Sequence, residues 1–175
     1  MKKNATEEAR VSTGVPGLDE VLSGGLIPYR GYLVRGGPGT GKTTLGMHFL
    51  SDGTAKGEKV LYVTLGESEK DLRKNANSIG VDTNQIEFLD LSPNSEFFAS
   101  SGSYDLFSPG EVERDPLSKK IVAHVKAIKP TRVFLDSTSH LRYLSIDLHQ
   151  FRKQLLSFTR FLLEQEATVL FTSEG

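Results

Sequence analysis

Between Gly36 and Thr43 the chain reads Gly-Gly-Pro-Gly-Thr-Gly-Lys-Thr, which satisfies the pattern G-x-x-x-x-G-K-[ST] in full. Glycines such as Gly37, Gly39 and Gly41 let a backbone wrap closely around a polyphosphate without side-chain clashes, with Pro38 and Thr40 completing the loop. Successive N–H groups, and the first turn of a following helix, direct positive potential at the anion. Lys42 is expected to reach the β- and γ-phosphates and Thr43 to offer its hydroxyl to magnesium, while Thr44 is placed to touch the α-phosphate. The ligand this pattern predicts is ATP with Mg2+.

Such a loop also needs a carboxylate at the end of a buried strand to hold the magnesium-bound water, and Arg132-Val133-Phe134-Leu135-Asp136 has that form. Asp136 is therefore the second metal candidate beside Thr43. A strand-ending aspartate also serves as a turn or cap residue, and it is the phosphate loop that favours the metal role here. Ser137 follows, so a base for water must come from elsewhere in the chain. His48, His124, His140 and His149 have no ligand spacing and read as structural or surface residues, which leaves no metal indicated beyond magnesium.

These groups need a scaffold, and the hydrophobic pattern supplies one. Apolar, β-branched and aromatic runs at Tyr32–Val34, Val60–Leu65, Ile86–Leu89, Val133–Leu135 and Thr168–Thr172 predict strands. Helical patterns fall between them at Lys42–Ser51, Glu69–Ile79, Pro116–Ile128 and Leu148–Glu166. Asp115 can cap the third helix, whose apolar stripe is Leu117, Ile121, Val122, Val125 and Ile128. The fourth begins at Asp147 with Gln150 three residues on, and gathers Leu148, Phe151, Leu155, Phe158 and Leu162 on one side. Both stripes read as core packing. Nearly continuous apolar strands, each followed by an amphipathic helix, imply a doubly wound α/β domain: a mainly parallel sheet covered on both faces, with right-handed crossovers. Ligands in such folds sit outside the carboxyl ends of the strands, where the phosphate loop falls. Pro93 to Glu111 interrupts the alternation with a serine- and glycine-rich stretch carrying Phe97, Phe98, Tyr104 and Phe107, readable as a mobile loop or as a subunit contact.

Composition narrows the function classes. A chain of 175 residues suits one domain, here 1–175, and 21 basic against 22 acidic residues leave no basic footprint for nucleic acid. Absence of cysteine excludes disulfides and thiolate metal sites and fits the cytoplasm. No apolar run approaches a membrane span, and none follows the basic pair at Lys2-Lys3.

Ser12-Thr13-Gly14-Val15-Pro16-Gly17-Leu18-Asp19, Gly24-Gly25-Leu26, the phosphate loop and Asp136-Ser137 together resemble the KaiC-like branch of RecA-type ATPases, with RadA among its relatives. The resemblance spans nearly the whole chain and implies a three-layer RecA-like core. In that core the Thr168–Thr172 strand lies between the phosphate-loop strand and the Asp136 strand, so that Thr172 or Ser173 faces the γ-phosphate. It further implies a homo-oligomer, a hexameric ring with ATP between subunits and a neighbour's lysine or arginine completing each site. Phosphorylation of its own serines and threonines is an open extension.

The sequence departs from this family pattern in two places. The family carries two adjacent glutamates after the second strand, the first acting as base; here Thr64-Leu65-Gly66-Glu67-Ser68 aligns Gly66 with it and leaves Glu67, which therefore stands as the catalytic candidate beside Lys42. Loss of a general base costs about 100- to 10,000-fold. The chain also stops at Thr172-Ser173-Glu174-Gly175, just past the predicted central strand, where the resemblance implies further strands and hence a domain incomplete at its C-terminal end, with a bare sheet edge. The expected function is an ATPase releasing ADP and phosphate. The alternatives are an ATP-binding switch or scaffold with little turnover and, against the charge balance, a DNA recombination or repair ATPase.

Overall fold

The computed structural model describes residues 9–93, 95, 116–143 and 148–174. Most of the Pro93–Glu111 stretch and the proposed caps Asp115 and Asp147 lie outside them.

A short helix α1 (Pro16–Val21) precedes strand β1 (Gly31–Arg35) and helix α2 (Lys42–Ala55). Strand β2 (Val60–Thr64), helix α3 (Glu69–Ser78) and strand β3 (Glu87–Asp90) follow. Helix α4 (Pro116–Ile128), strand β4 (Arg132–Asp136), helix α5 (Thr138–Tyr143), helix α6 (Leu148–Glu164) and strand β5 (Thr168–Ser173) complete the order. The five strands form one sheet in the order β1-β5-β4-β2-β3, and every pairing is parallel. β5 thus lies between β1 and β4, as the RecA-like arrangement requires, and all carboxyl ends share one rim.

Side chains alternate across the strands and build two cores. Val60, Tyr62, Phe88, Phe134 and Leu170 face one side, where Met47, Phe49 and Leu50 of α2 and Leu72 and Ala76 of α3 cover them. Leu61, Val63, Leu89, Val133, Leu135, Val169 and Phe171 face the other, under Ile121 and Val125 of α4 and Leu162 of α6. In α6 the expected stripe packs on this core only from Leu155 onward, with Phe158 and Leu162; Leu148, in its first turn, is exposed. β1, at the sheet edge, departs from full coverage because its alternate residues Gly31, Leu33 and Arg35 are exposed.

Local chemistry sets the element ends. Ser68 caps α3: its hydroxyl accepts from the Asp71 N–H at 3.2 Å and donates to the Asp71 carboxylate at 2.7 Å. The Asp19 side chain in α1 accepts from the Ser12 and Thr13 hydroxyls at 2.6 and 2.7 Å and from the Thr13 N–H at 2.8 Å. Burial works against its charge, yet these bonds hold its carboxyl below the usual range. α2 runs past the expected Ser51 to Ala55, through Gly53, which lies against Val60 and Arg132. Arg132 itself, 1% exposed, is a buried hub. It donates to both Glu58 carboxylate oxygens at 2.9 and 2.6 Å and to the backbone oxygens of Ser12 and Phe49 at 2.9 and 2.8 Å, and it pairs with Asp52 at 2.9 Å. A buried guanidinium is tolerated only when its donors are matched in this way.

Candidate phosphate-binding site

The loop leaves the end of β1 with the Gly36 N–H bonded to Ser173 O at 3.2 Å, which fixes its root to β5. Gly39 and Gly41 adopt φ of +74° and +86°, the left-handed region where a β-carbon is strained. A β-carbon at Gly37, Gly39 or Gly41 would meet no atom within 4 Å, so the loop presents bare backbone to open space. α2 begins at Lys42 with Gly41 as its N-cap and no side-chain cap, leaving first-turn N–H groups to an external anion. Lys42 Nζ donates to Gly36 O at 2.7 Å and Gly37 O at 2.8 Å, and Thr40 Oγ1 donates to Gly37 O at 2.9 Å. Thr44 is exposed on the first turn of α2.

The fold brings Thr43 and Asp136, 93 residues apart, into direct contact: Thr43 Oγ1 donates to Asp136 Oδ2 at 2.7 Å. The same carboxylate oxygen accepts from the hydroxyl of Tyr62 at 3.0 Å, while Oδ1 accepts from the Thr172 hydroxyl. Burial first, and then the Asp136 charge, push the Tyr62 phenol well above its ordinary pKa, so it stays a donor. Tyr62 is held by stacking on Phe88, centroids 5.0 Å apart, and by an edge contact with Phe134 at 4.9 Å. A hydroxyl beside an oriented carboxylate is a hard-oxygen donor pair, and it fits magnesium. The Asp136–Ser137 peptide bond is cis.

These groups open on a cavity of about 240 Å³ whose lining includes Pro38, Gly39, Lys42, Thr43 and Asp136 together with Gly66, Glu67, Ser137, His140 and Glu174. Glu67 reaches this cavity from the β2–α3 turn but is exposed, and its carboxylate accepts from Asn75 Nδ2 at 3.4 Å. Its backbone oxygen accepts from the Thr64 hydroxyl at 2.6 Å. Thr172 is fully buried and turned to Asp136, whereas Ser173 Oγ donates to Glu174 O at 3.0 Å.

Lys42, Thr43, Asp136 and Glu67 thus share one cavity, which Gly39 of the loop also lines. Sequence reasoning passed over two of its neighbours. Tyr62 looks like any strand residue, and only its register opposite Phe134 brings its hydroxyl to Asp136. His140, read as structural or surface, comes from α5, a helix of 6 residues too short to show a period. Among the described residues no cluster of three or more histidine and acidic residues could hold a metal on its own, and no helix is long and apolar enough to cross a membrane.

A parallel sheet with this strand order, a glycine loop entering a helix, and a carboxylate on the strand two places away define a RecA-type phosphate-loop domain. Comparison with known proteins agrees. The family model described as "ATPase: KaiC" matches residues 11–175, and the chain belongs to that family. It is similar to the circadian clock oscillator protein KaiC of Parathermosynechococcus lividus, 32% identical over 169 residues, which cover 93% of this chain and 30% of the relative. The UPF0273 protein SSO1861 of Saccharolobus solfataricus is 33% identical over 172 residues, covering 94% of this chain and 60% of its own. Among solved structures, the KaiC-like protein PH0186 of Pyrococcus horikoshii OT3 superposes with a TM-score of 0.76 at 30% identity, over 95% of this chain and 71% of that one. The chain therefore spans only about a third of the clock-protein relative's length. As a member of this family it is a phosphate-loop domain of RecA type.

Proposed function

We propose that this domain binds Mg-ATP at the 36–43 loop and hydrolyses it to ADP and phosphate. The observation that carries the reading is the 2.7 Å bond between Thr43 and Asp136 beside Lys42, which assembles phosphate and cation donors from distant parts of the chain. Lys42 would exchange its backbone carbonyl partners for β- and γ-phosphate oxygens. Loop N–H groups would cradle the same phosphates, and Thr44 would touch the α-phosphate. Thr43 would ligate magnesium directly and Asp136 would hold its water, with Tyr62 and Thr172 orienting the carboxylate. Magnesium held by Thr43 and Asp136 would supply positive charge against the negative charge that develops on the phosphates. Glu67, which lines the same cavity, is one candidate for activating water.

The family pattern supports the further reading that 1–175 belongs to an ATPase domain assembled as a hexameric ring with nucleotide between subunits. The test is phosphate release from Mg-ATP by this chain and by Glu67→Gln, after nucleotide binding by both has been measured. Turnover by the unaltered chain is the expected result. Tight binding without turnover would replace hydrolysis by the switch reading.

A further inference from the structure

The cavity that Lys42 and Asp136 line holds a second water-activating candidate, and its anchoring is better defined than that of Glu67. His140 projects into the cavity from α5, immediately after β4. Its Nδ1 lies 2.9 Å from Ser137 Oγ, a bond that fixes the ring plane, and its backbone N–H returns to Ser137 O at 3.2 Å. Ser137 is itself 5% exposed, so the anchor is buried. Nε2 has no hydrogen-bond partner among the described residues, although the ring borders the same space as Thr43 and Asp136.

Position 66 explains why the ring fits. A β-carbon on Gly66 would stand 2.8 Å from His140 Cε1 and 2.9 Å from Nε2, closer than real contacts allow. A side chain at 66 and the imidazole at 140 therefore compete for one volume, and in this chain the imidazole has it. Glu67, one residue on, is exposed and engaged by Asn75.

Resting on the hydrolysis reading above, we propose that His140, rather than Glu67, is the base for the attacking water. With Nδ1–H donating to Ser137 Oγ, the lone pair is on Nε2, at the free end of a ring that lines the cavity beside Gly66. The water oxygen bonds to the γ-phosphorus while Nε2 takes one of its protons. The bond from that phosphorus to the bridging oxygen breaks, its electron pair leaves with ADP, and the imidazolium returns its proton to solvent.

The experiment measures kcat for phosphate release and, separately, Mg-ATP affinity. It compares the unaltered chain, Glu67→Gln, His140→Ala, His140→Gln, and His140→Ala combined with Gly66→Glu. Loss of the base predicts a fall in kcat of about 100-fold or more in both His140 variants, with ATP affinity within about threefold of the unaltered chain. Glutamine is the control for folding, since it keeps a polar side chain of similar reach but cannot take the proton. The double variant should regain at least about tenfold over His140→Ala, because a carboxylate then enters the volume the ring has left. Turnover by His140→Ala within about threefold of the unaltered chain would overturn the proposal and leave the ATPase reading standing. Failure of the double variant to recover, while folded and binding ATP, would also overturn it. An unaltered chain that binds ATP without releasing phosphate would remove both readings.

Discussion

Gly46 of α2 lies flat against the ring of Phe134 in β4, so close that a β-carbon at 46 would stand 2.1 Å from the ring carbons. This approach lets α2 sit low on the sheet, and one turn earlier on the same helix Thr43 reaches Asp136 at the end of the same strand. Gly46→Ala should therefore destabilise the domain by about 1 to 3 kcal/mol, the cost of forcing an extra carbon into a packed core. Urea unfolding measures it. The same variant should bind Mg-ATP more weakly, because lifting α2 separates the hydroxyl from the carboxylate.

Lys42→Ala should weaken ATP binding by roughly ten- to a hundredfold, the worth of about 1.5 to 3 kcal/mol for hydrogen bonds to a charged group. Titration with a fluorescent ATP analogue gives the number. Unchanged affinity would mean that the loop is not the phosphate site.

Asp136→Asn keeps the shape of the side chain and its hydroxyl neighbours but removes the charge that would hold a magnesium-bound water. Its ATP affinity should respond less to added magnesium than that of the unaltered chain. Equal response in both would make Asp136 a structural acceptor for Thr43, Tyr62 and Thr172 alone.

Glu58 predicts an acid limb in stability. Burial raises its pKa, but the bonds from Arg132 and Thr131 and the Arg132 charge outweigh that and hold it below its ordinary 4.5. A depressed carboxylate stabilises the fold fully above its unfolded value and loses that contribution as pH falls through the lower folded one. Stability should thus decline below about pH 4.5, and Glu58→Gln should flatten that decline in thermal unfolding followed across pH. At neutral pH, Glu58→Ala should cost about 1 to 3 kcal/mol, since Glu58 is itself partly exposed and Asp52 still meets Arg132.

Legibility followed locality. The phosphate loop is contiguous, so its residues and the helix after it could be read directly, and Asp136 followed from the form of its strand. The strand order could not be read from spacing, because parallel neighbours are joined only through distant crossovers; it came from the family resemblance. The hub at Arg132 is not visible in the strand it begins, since its four partner residues come from three separate segments. Gly66 was visible as a departure, yet which side chain occupies its volume depends on α5, whose 6 residues carry no periodic signal. The stripe of α6 was read correctly as apolar, but where the sheet beneath it begins is a tertiary fact, and Leu148 falls before that point.

β4 carries Arg132 at one end and Asp136 at the other. Four residue steps of extended chain separate them by about 13 Å. The guanidinium is already offset locally by Glu58 and Asp52, so little of its field travels along the strand. Foundation and workplace are in this way electrically insulated from each other on a single rod. Changes that retune the hub while keeping its guanidinium paired can alter how long the domain survives with little effect on the potential that a cation meets at Asp136.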